Sequence, residues 1–112
     1  MKTNIAHIEI EDIVKKINEL ETDLVMIIAD HHVWSLYSKD ILLEQITDKK
    51  VLFWKAADGE KVKNINDFQN ALEFFLDKGI HRKAHLVAIG GGATSDFAGF
   101  VAATILRGSR GV

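Results

Sequence analysis

The 112 residues include no cysteine and no proline. Without cysteine there is neither a disulfide framework nor a thiolate metal site, and a cytoplasmic location is the expectation. No apolar run approaches the ~20 residues of a membrane-spanning helix; the run Leu24–Ala29 is among the longest. The N-terminus, MKTNIAHIEIEDIVKK, carries Glu9, Glu11 and Asp12 where a secretory leader needs an apolar stretch. Positive charge is not in excess either: Lys+Arg is 14 against Asp+Glu 16, a formal net charge of −2. A sequence-independent nucleic-acid binder needs a basic footprint, so neither nucleic acid nor membrane is an expected partner. What remains is a chain with 47% apolar and 27% charged residues, the balance of one folded domain.

The segments alternate in type, and no internal repeat or low-complexity tract interrupts them. Ile5–Ile10 (IAHIEI) reads as a short strand. Glu11–Leu20 has Ile13, Val14, Ile17 and Leu20 at helical spacing. Leu24–Ala29 is a continuous apolar run of strand length, ending at Asp30. Val33–Ile46 carries Trp34, Leu36, Tyr37, Ile41, Leu42 and Ile46 at spacings that predict a helix. Val51–Ala56 predicts a strand, followed by a loop over Ala57–Lys63. Ile65–Asp77 predicts a helix with Asn64 as N-cap and Gly79 just past its end. His85–Ile89 predicts a buried strand, Gly90–Thr94 a glycine loop, and Ser95–Leu106 a small-residue helix. Strands alternating with helices imply an α/β fold, with a parallel sheet covered by helices on both faces. Trp34, Phe53, Trp54, Phe68, Phe74 and Phe75 are read as core rather than as a stacking platform. In such sheets ligands bind beyond the carboxyl ends of the strands. Three stretches therefore matter most: Asp30–His32, Asp58–Lys63 and Gly90–Asp96.

Six of the eight glycines fall in the last 23 residues, three of them consecutive at Gly90, Gly91 and Gly92. A strand followed by such a turn and a helix start lets a ligand approach the backbone and favours an anion, usually a phosphate. A tight turn without a ligand is the plainer alternative. The standard dinucleotide fingerprint is not met, because its third glycine falls on Ser95 and no acidic residue follows Asp96. No Gly-Lys-Ser/Thr follows, so it is not a P-loop.

As a longer string, LVAIGGGATSDFAGFVAATILRG (Leu86–Gly108) resembles the 3-dehydroquinate synthase family of sugar-phosphate cyclases. Asp58-Gly59-Glu60-x-x-Lys63 is similar to that family's DGE-x-x-K loop, and Asp30-His31-His32 to its Asp-x-Asn loop. Glycerol dehydrogenase-like enzymes share the architecture and are the nearest confusable relatives. The resemblance implies a Rossmann-like NAD-binding domain, incomplete relative to the family. It implies a metal-dependent lyase of the shikimate pathway, which serves aromatic amino acid biosynthesis. The family converts a seven-carbon sugar acid phosphate to 3-dehydroquinate with phosphate release. NAD and a divalent metal, zinc or cobalt, are its cofactors. The metal ligands, a Glu and two His, belong to a C-terminal helical domain, and residues 1–112 end before it. The chain is therefore expected to be one truncated N-terminal NAD-binding α/β domain, with no catalytic residue and no metal ligand of its own. A stand-alone α/β module that binds a nucleotide or a protein partner is the rival from another class.

The resemblance carries cofactor roles onto Asp30, His32, Glu60, Lys63, Gly91, Gly92, Ala93 and Asp96. Arg107 takes the substrate phosphate. Each has a structural alternative. Asp30 could cap the following helix, and Asp58-Gly59 could be turn chemistry. Asp96 could answer the helix dipole and Arg107 the helix C-terminus. His32 stands in place of the family's Asn. Ser95 replaces its Gly and is either strained, if that position needs a positive φ, or an N-cap. The five histidines do not have the spacing of a metal cluster. A homodimer is expected, from an open sheet edge at His85–Ile89 and apolar Phe97, Phe100, Val101 and Leu106 left without neighbours, with the tail Gly108–Val112 near the contact.

Overall fold

A computed structural model describes residues 2–4, 12–56, 65–80 and 84–110. Its elements in chain order are β1 (Lys2–Asn4), α1 (Ile13–Asn18), β2 (Leu24–Asp30), α2 (His31–Tyr37), β3 (Lys50–Ala56), α3 (Ile65–Asp77), β4 (His85–Ile89) and α4 (Gly92–Arg110). A 3-10 turn at Leu43–Gln45 lies between α2 and β3. The four strands form one parallel sheet in the order β1-β4-β2-β3.

β2 is central, and all seven of its residues are buried. Alternate side chains serve two separate cores, as the period of a strand requires. Leu24, Met26 and Ile28 point to one face, where they meet Ala71 and Phe75 of α3 and Phe97, Ala98, Val101, Ala102 and Ile105 of α4. Val25, Ile27 and Ala29 point to the other, against Ile13 and Ile17 of α1 and Val33 and Trp34 of α2. The expected parallel sheet with helices on both faces is therefore what the chain forms. The connection from β2 to β3 steps one way across the sheet. The connection from β3 to β4 returns across β2 to its other side. Crossovers of a single hand that run in opposite directions place their helices on opposite faces, which is why α2 and α3 sit apart. The strand order thus reverses at β2, between β3 and β4.

Several expectations need correction. β4 is not an edge: β1 pairs with it through Lys2↔His85, Thr3↔Leu86 and Asn4↔Val87, and β2 lies on its other side. The edge near the aromatic residues is β3, whose Phe53 and Trp54 are only half-buried. Full cover on both faces therefore holds for β2 and not for β3. The strand expected at Ile5–Ile10 lies outside the described residues; the strand that pairs with β4 is Lys2–Asn4.

The helix expected over Val33–Ile46 begins two residues earlier, at His31, and stops at Tyr37. On one continuous helix Leu43 and Ile46 would project opposite Val33, Trp34 and Ile41. Breaking the helix lets all five reach the same core. The Asn18 side chain holds the returning segment: Nδ2 donates to the Gln45 carbonyl (3.2 Å), and Oδ1 accepts from the Thr47 N–H (3.0 Å). α3 has the predicted limits, and Gly79 after it adopts φ +72°, as a residue just past a helix end commonly does. Asn64 lies outside the described residues. α4 begins at Gly92, three residues before the expected Ser95. Its Phe97 and Val101 are buried rather than uncovered, Phe100 is exposed, at 69%, and the Leu106 side chain lies outside those described. The aromatic residues read as core do pack there, with Phe75 fully buried and Trp34, Phe53, Trp54, Phe68 and Phe74 at the margins of the two clusters.

Candidate functional site

The carboxyl ends of the three longer strands are level. Asp30 pairs with Ala56 in the β2–β3 register, and Ala29 with Ile89 in the β2–β4 register. β2, β3 and β4 thus release the chain at the same end of the sheet, at Asp30, after Ala56 and at Gly90. The strand order reverses at this point, where open α/β sheets form a ligand crevice.

Asp30–His32 is not a loop. Asp30 is the last residue of β2 and the N-cap of α2, and its Oδ2 accepts from the Val33 N–H at 2.9 Å. The capping alternative is therefore realised, and the carboxylate is buried, at 6% exposure. His31 and His32 are exposed in the first turn of α2. The His32 carbonyl accepts from Ser35 Oγ at 2.7 Å, which leaves the imidazole outside that contact.

The glycine turn is shorter than expected. Only Gly90 and Gly91 lie between β4 and α4, and the Ser95 N–H donates to the Gly91 carbonyl at 3.1 Å, as the opening bond of a helix does. The three glycines have different surroundings. Gly90 has φ +154°, and a Cβ there would stand 2.6 Å from Thr94 Oγ1 and 2.9 Å from Asp30 Cβ. Only glycine fits. Gly91 and Gly92 are exposed, and a Cβ on either would meet nothing within 4 Å. The first N–H groups of α4 have no acceptor inside the helix. They lie beside two exposed glycines, which suits the close approach of an anionic group such as a pyrophosphate.

The remaining candidates divide. Ser95 is half-buried inside α4, and the positive-φ non-glycine residue among those described is Asp48, so Ser95 is neither strained nor an N-cap. Asp96 is exposed in the second turn of α4, not the first as expected, because the helix starts early. Ala93 is the second residue of α4; only its backbone is described. Glu60 and Lys63 lie outside the described residues, although the chain leaves β3 for them at the right end of the sheet. Arg107 is in α4, fifteen residues past Gly92. At 1.5 Å per residue that is about 22 Å along the helix, so α4 holds Arg107 apart from the glycine turn. Sequence reasoning missed Thr94, which is buried against Gly90; its signal is only a threonine three residues past the second glycine, in a small-residue helix.

No three His, Cys, Asp or Glu side chains among the described residues are grouped to hold a metal ion. No helix among them is long and apolar enough to cross a membrane.

Comparison with known proteins points to one family. Residues 53–112 match the family model described as 3-dehydroquinate synthase N-terminal. The chain is similar to a 3-dehydroquinate synthase of Staphylococcus aureus, with 36% identity over 107 residues, covering 93% of this chain and 28% of that protein. It is also similar to one of Streptococcus pneumoniae, with 39% identity over 85 residues, covering 75% of this chain and 24% of that protein. The chain thus spans about a quarter of the length of the curated relatives it matches.

Proposed function

The chain belongs to the 3-dehydroquinate synthase N-terminal family, and from that premise we propose that it is the NAD-binding portion of a cytoplasmic cyclase of the shikimate pathway. The observation that carries this reading is the open backbone at Gly91 and Gly92, set at the helix start where the strand order reverses. The N–H groups of Gly92 and Ala93 would bind the pyrophosphate. Asp30, His32 and Asp96 would line the same crevice, with Asp30 acting chiefly through the start of α2. Glu60 would accept from a ribose diol, since one carboxylate can bond both hydroxyls, and Lys63 would support that end. Arg107, remote from the turn, would reach the phosphate of a seven-carbon sugar acid phosphate. Its planar, multi-donor group suits phosphate.

NAD, when bound, supplies a reversible hydride acceptor for a ring alcohol. This chain's contribution is to hold and orient that cofactor. The described residues do not fit the family's zinc or cobalt site, so no step is assigned to a metal here. The overall conversion, to 3-dehydroquinate with phosphate release, is the proposed activity of the whole enzyme, working as a homodimer.

An NMR titration of the 112-residue chain with NAD tests the reading. Shifts centred on Gly91–Asp96 and Asp30–Val33 are expected, with weak affinity. Shifts confined to residues far from both stretches would refute it.

A further inference from the structure

Two polar side chains are buried among the described residues, Asp30 and Thr94, and both close on Gly90. Thr94 is 2% exposed, although it lies in the first turn of α4 beside the exposed Gly92. A Cβ on Gly90 would meet Thr94 Oγ1 at 2.6 Å, Asp30 Cβ at 2.9 Å and Thr94 Cβ at 3.0 Å. The same Asp30 caps α2 through Val33. A continuous set of contacts therefore runs from the α2 start through Asp30 and Gly90 to Thr94 and the α4 start.

We infer that Thr94 is a positioning residue for the dinucleotide site. Its side chain fills the space that the absent Gly90 Cβ leaves and sets the glycine turn against the end of β2. The first N–H groups of α4 and the first turn of α2 are thereby held at a fixed separation before any ligand arrives. Preorganisation of this kind improves affinity by removing the ordering cost of binding. The ligand in this inference rests on the NAD reading above; the coupling of the two helix starts does not.

Two substitutions separate the contact from bulk. Thr94→Ser keeps Cβ and Oγ, the two atoms nearest Gly90, whereas Thr94→Ala keeps only Cβ. Amide spectra without ligand are expected to show Val33, Gly91 and Gly92 unmoved in Thr94→Ser and moved together in Thr94→Ala. On titration with NAD, Thr94→Ala should weaken binding about tenfold, and Thr94→Ser should stay within about twofold. Gly90→Ala presses on the same contact from the other side and should move the same three amides, which tests the coupling even where Thr94→Ala fails to fold. A merely structural threonine would lower the melting temperature and leave the NAD affinity of the folded chain unchanged, and that result overturns the inference. So does a folded variant in which Gly91 and Gly92 move while Val33 does not. Should the unsubstituted chain show no NAD-induced shifts, the cofactor reading falls, and the ligand-free spectra alone decide the role of Thr94.

Discussion

At the scale of single residues, the consecutive glycines answer to different forces. Gly90 is fixed by packing and by its φ of +154°, while the positions of Gly91 and Gly92 would admit a Cβ without contact. Gly90→Ala should therefore destabilise the free protein by about 1–3 kcal/mol, the range for forcing extra carbon into a packed place. Urea denaturation measures this. Gly92→Val should change stability by less than about 1 kcal/mol yet abolish the NAD-induced shifts, because a branched side chain then occupies the approach to the helix start. A large stability loss in Gly92→Val would show that the open space is not there. Asp30→Ala removes the acceptor of the Val33 N–H and should cost about 1 kcal/mol, as loss of a helix N-cap does, with Asp30→Asn restoring most of it.

Among the elements, α2 differs most from its neighbours. It has seven residues, none of them buried, and Leu36 and Tyr37 are exposed at 58% and 38%. A helix this short is not stable by itself and depends on its cap and on Val33 and Trp34 packing beneath it. Trp34 meets Phe53 with ring centroids 4.7 Å apart, which pins the helix to the edge strand β3. Hydrogen exchange should consequently be fast at Ser35–Tyr37 and slow at Val25–Ala29, since exchange follows local opening where few apolar contacts oppose it. Equal protection of the two segments would contradict this account. The opening is thus expected at the end of α2, while its start stays tied to the end of β2 through the Asp30 cap.

For the whole molecule, the reason to expect association is exposed apolar surface rather than an open β4. Leu76 of α3 and Phe100 of α4 are exposed at 50% and 69%. Exposed apolar side chains of this size favour a partner. Static light scattering of the 112-residue chain should give a dimer at tens of micromolar, and Phe100→Ser should shift it toward monomer. A monomer in the unsubstituted chain would refute association outright. The same purified chain, given the seven-carbon sugar acid phosphate, NAD and zinc or cobalt, should release no phosphate above background. The reaction needs acid–base and metal groups converging on one substrate, and no three His, Cys, Asp or Glu among the described residues are grouped to hold a metal ion. Measurable phosphate release would overturn that expectation.

The class of the fold was legible in local signals along the chain, and so was the end of the sheet where the candidate site lies. Apolar runs of strand length alternating with 3.6-period segments are local signals, and they located β2, β3, β4 and α3 to within a residue. The glycine run and the string Leu86–Gly108 likewise pointed to the family and to the turn after β4. Tertiary structure decided what local signals do not carry. Which strand lies at the edge depends on pairing between Lys2–Asn4 and His85–Val87, more than eighty positions apart. The break after Tyr37 depends on Leu43 and Ile46 having to reach the same core as Ile41, a demand invisible in the spacing of either segment alone. The early start of α4 at Gly92 places Thr94 inside the helix, buried beside Gly90 and Asp30, a contact that no local signal carries. The run of glycines looked uniform as a string, yet packing makes Gly90 obligatory and leaves Gly91 and Gly92 open, because only in the folded chain does β2 end against the turn that follows β4.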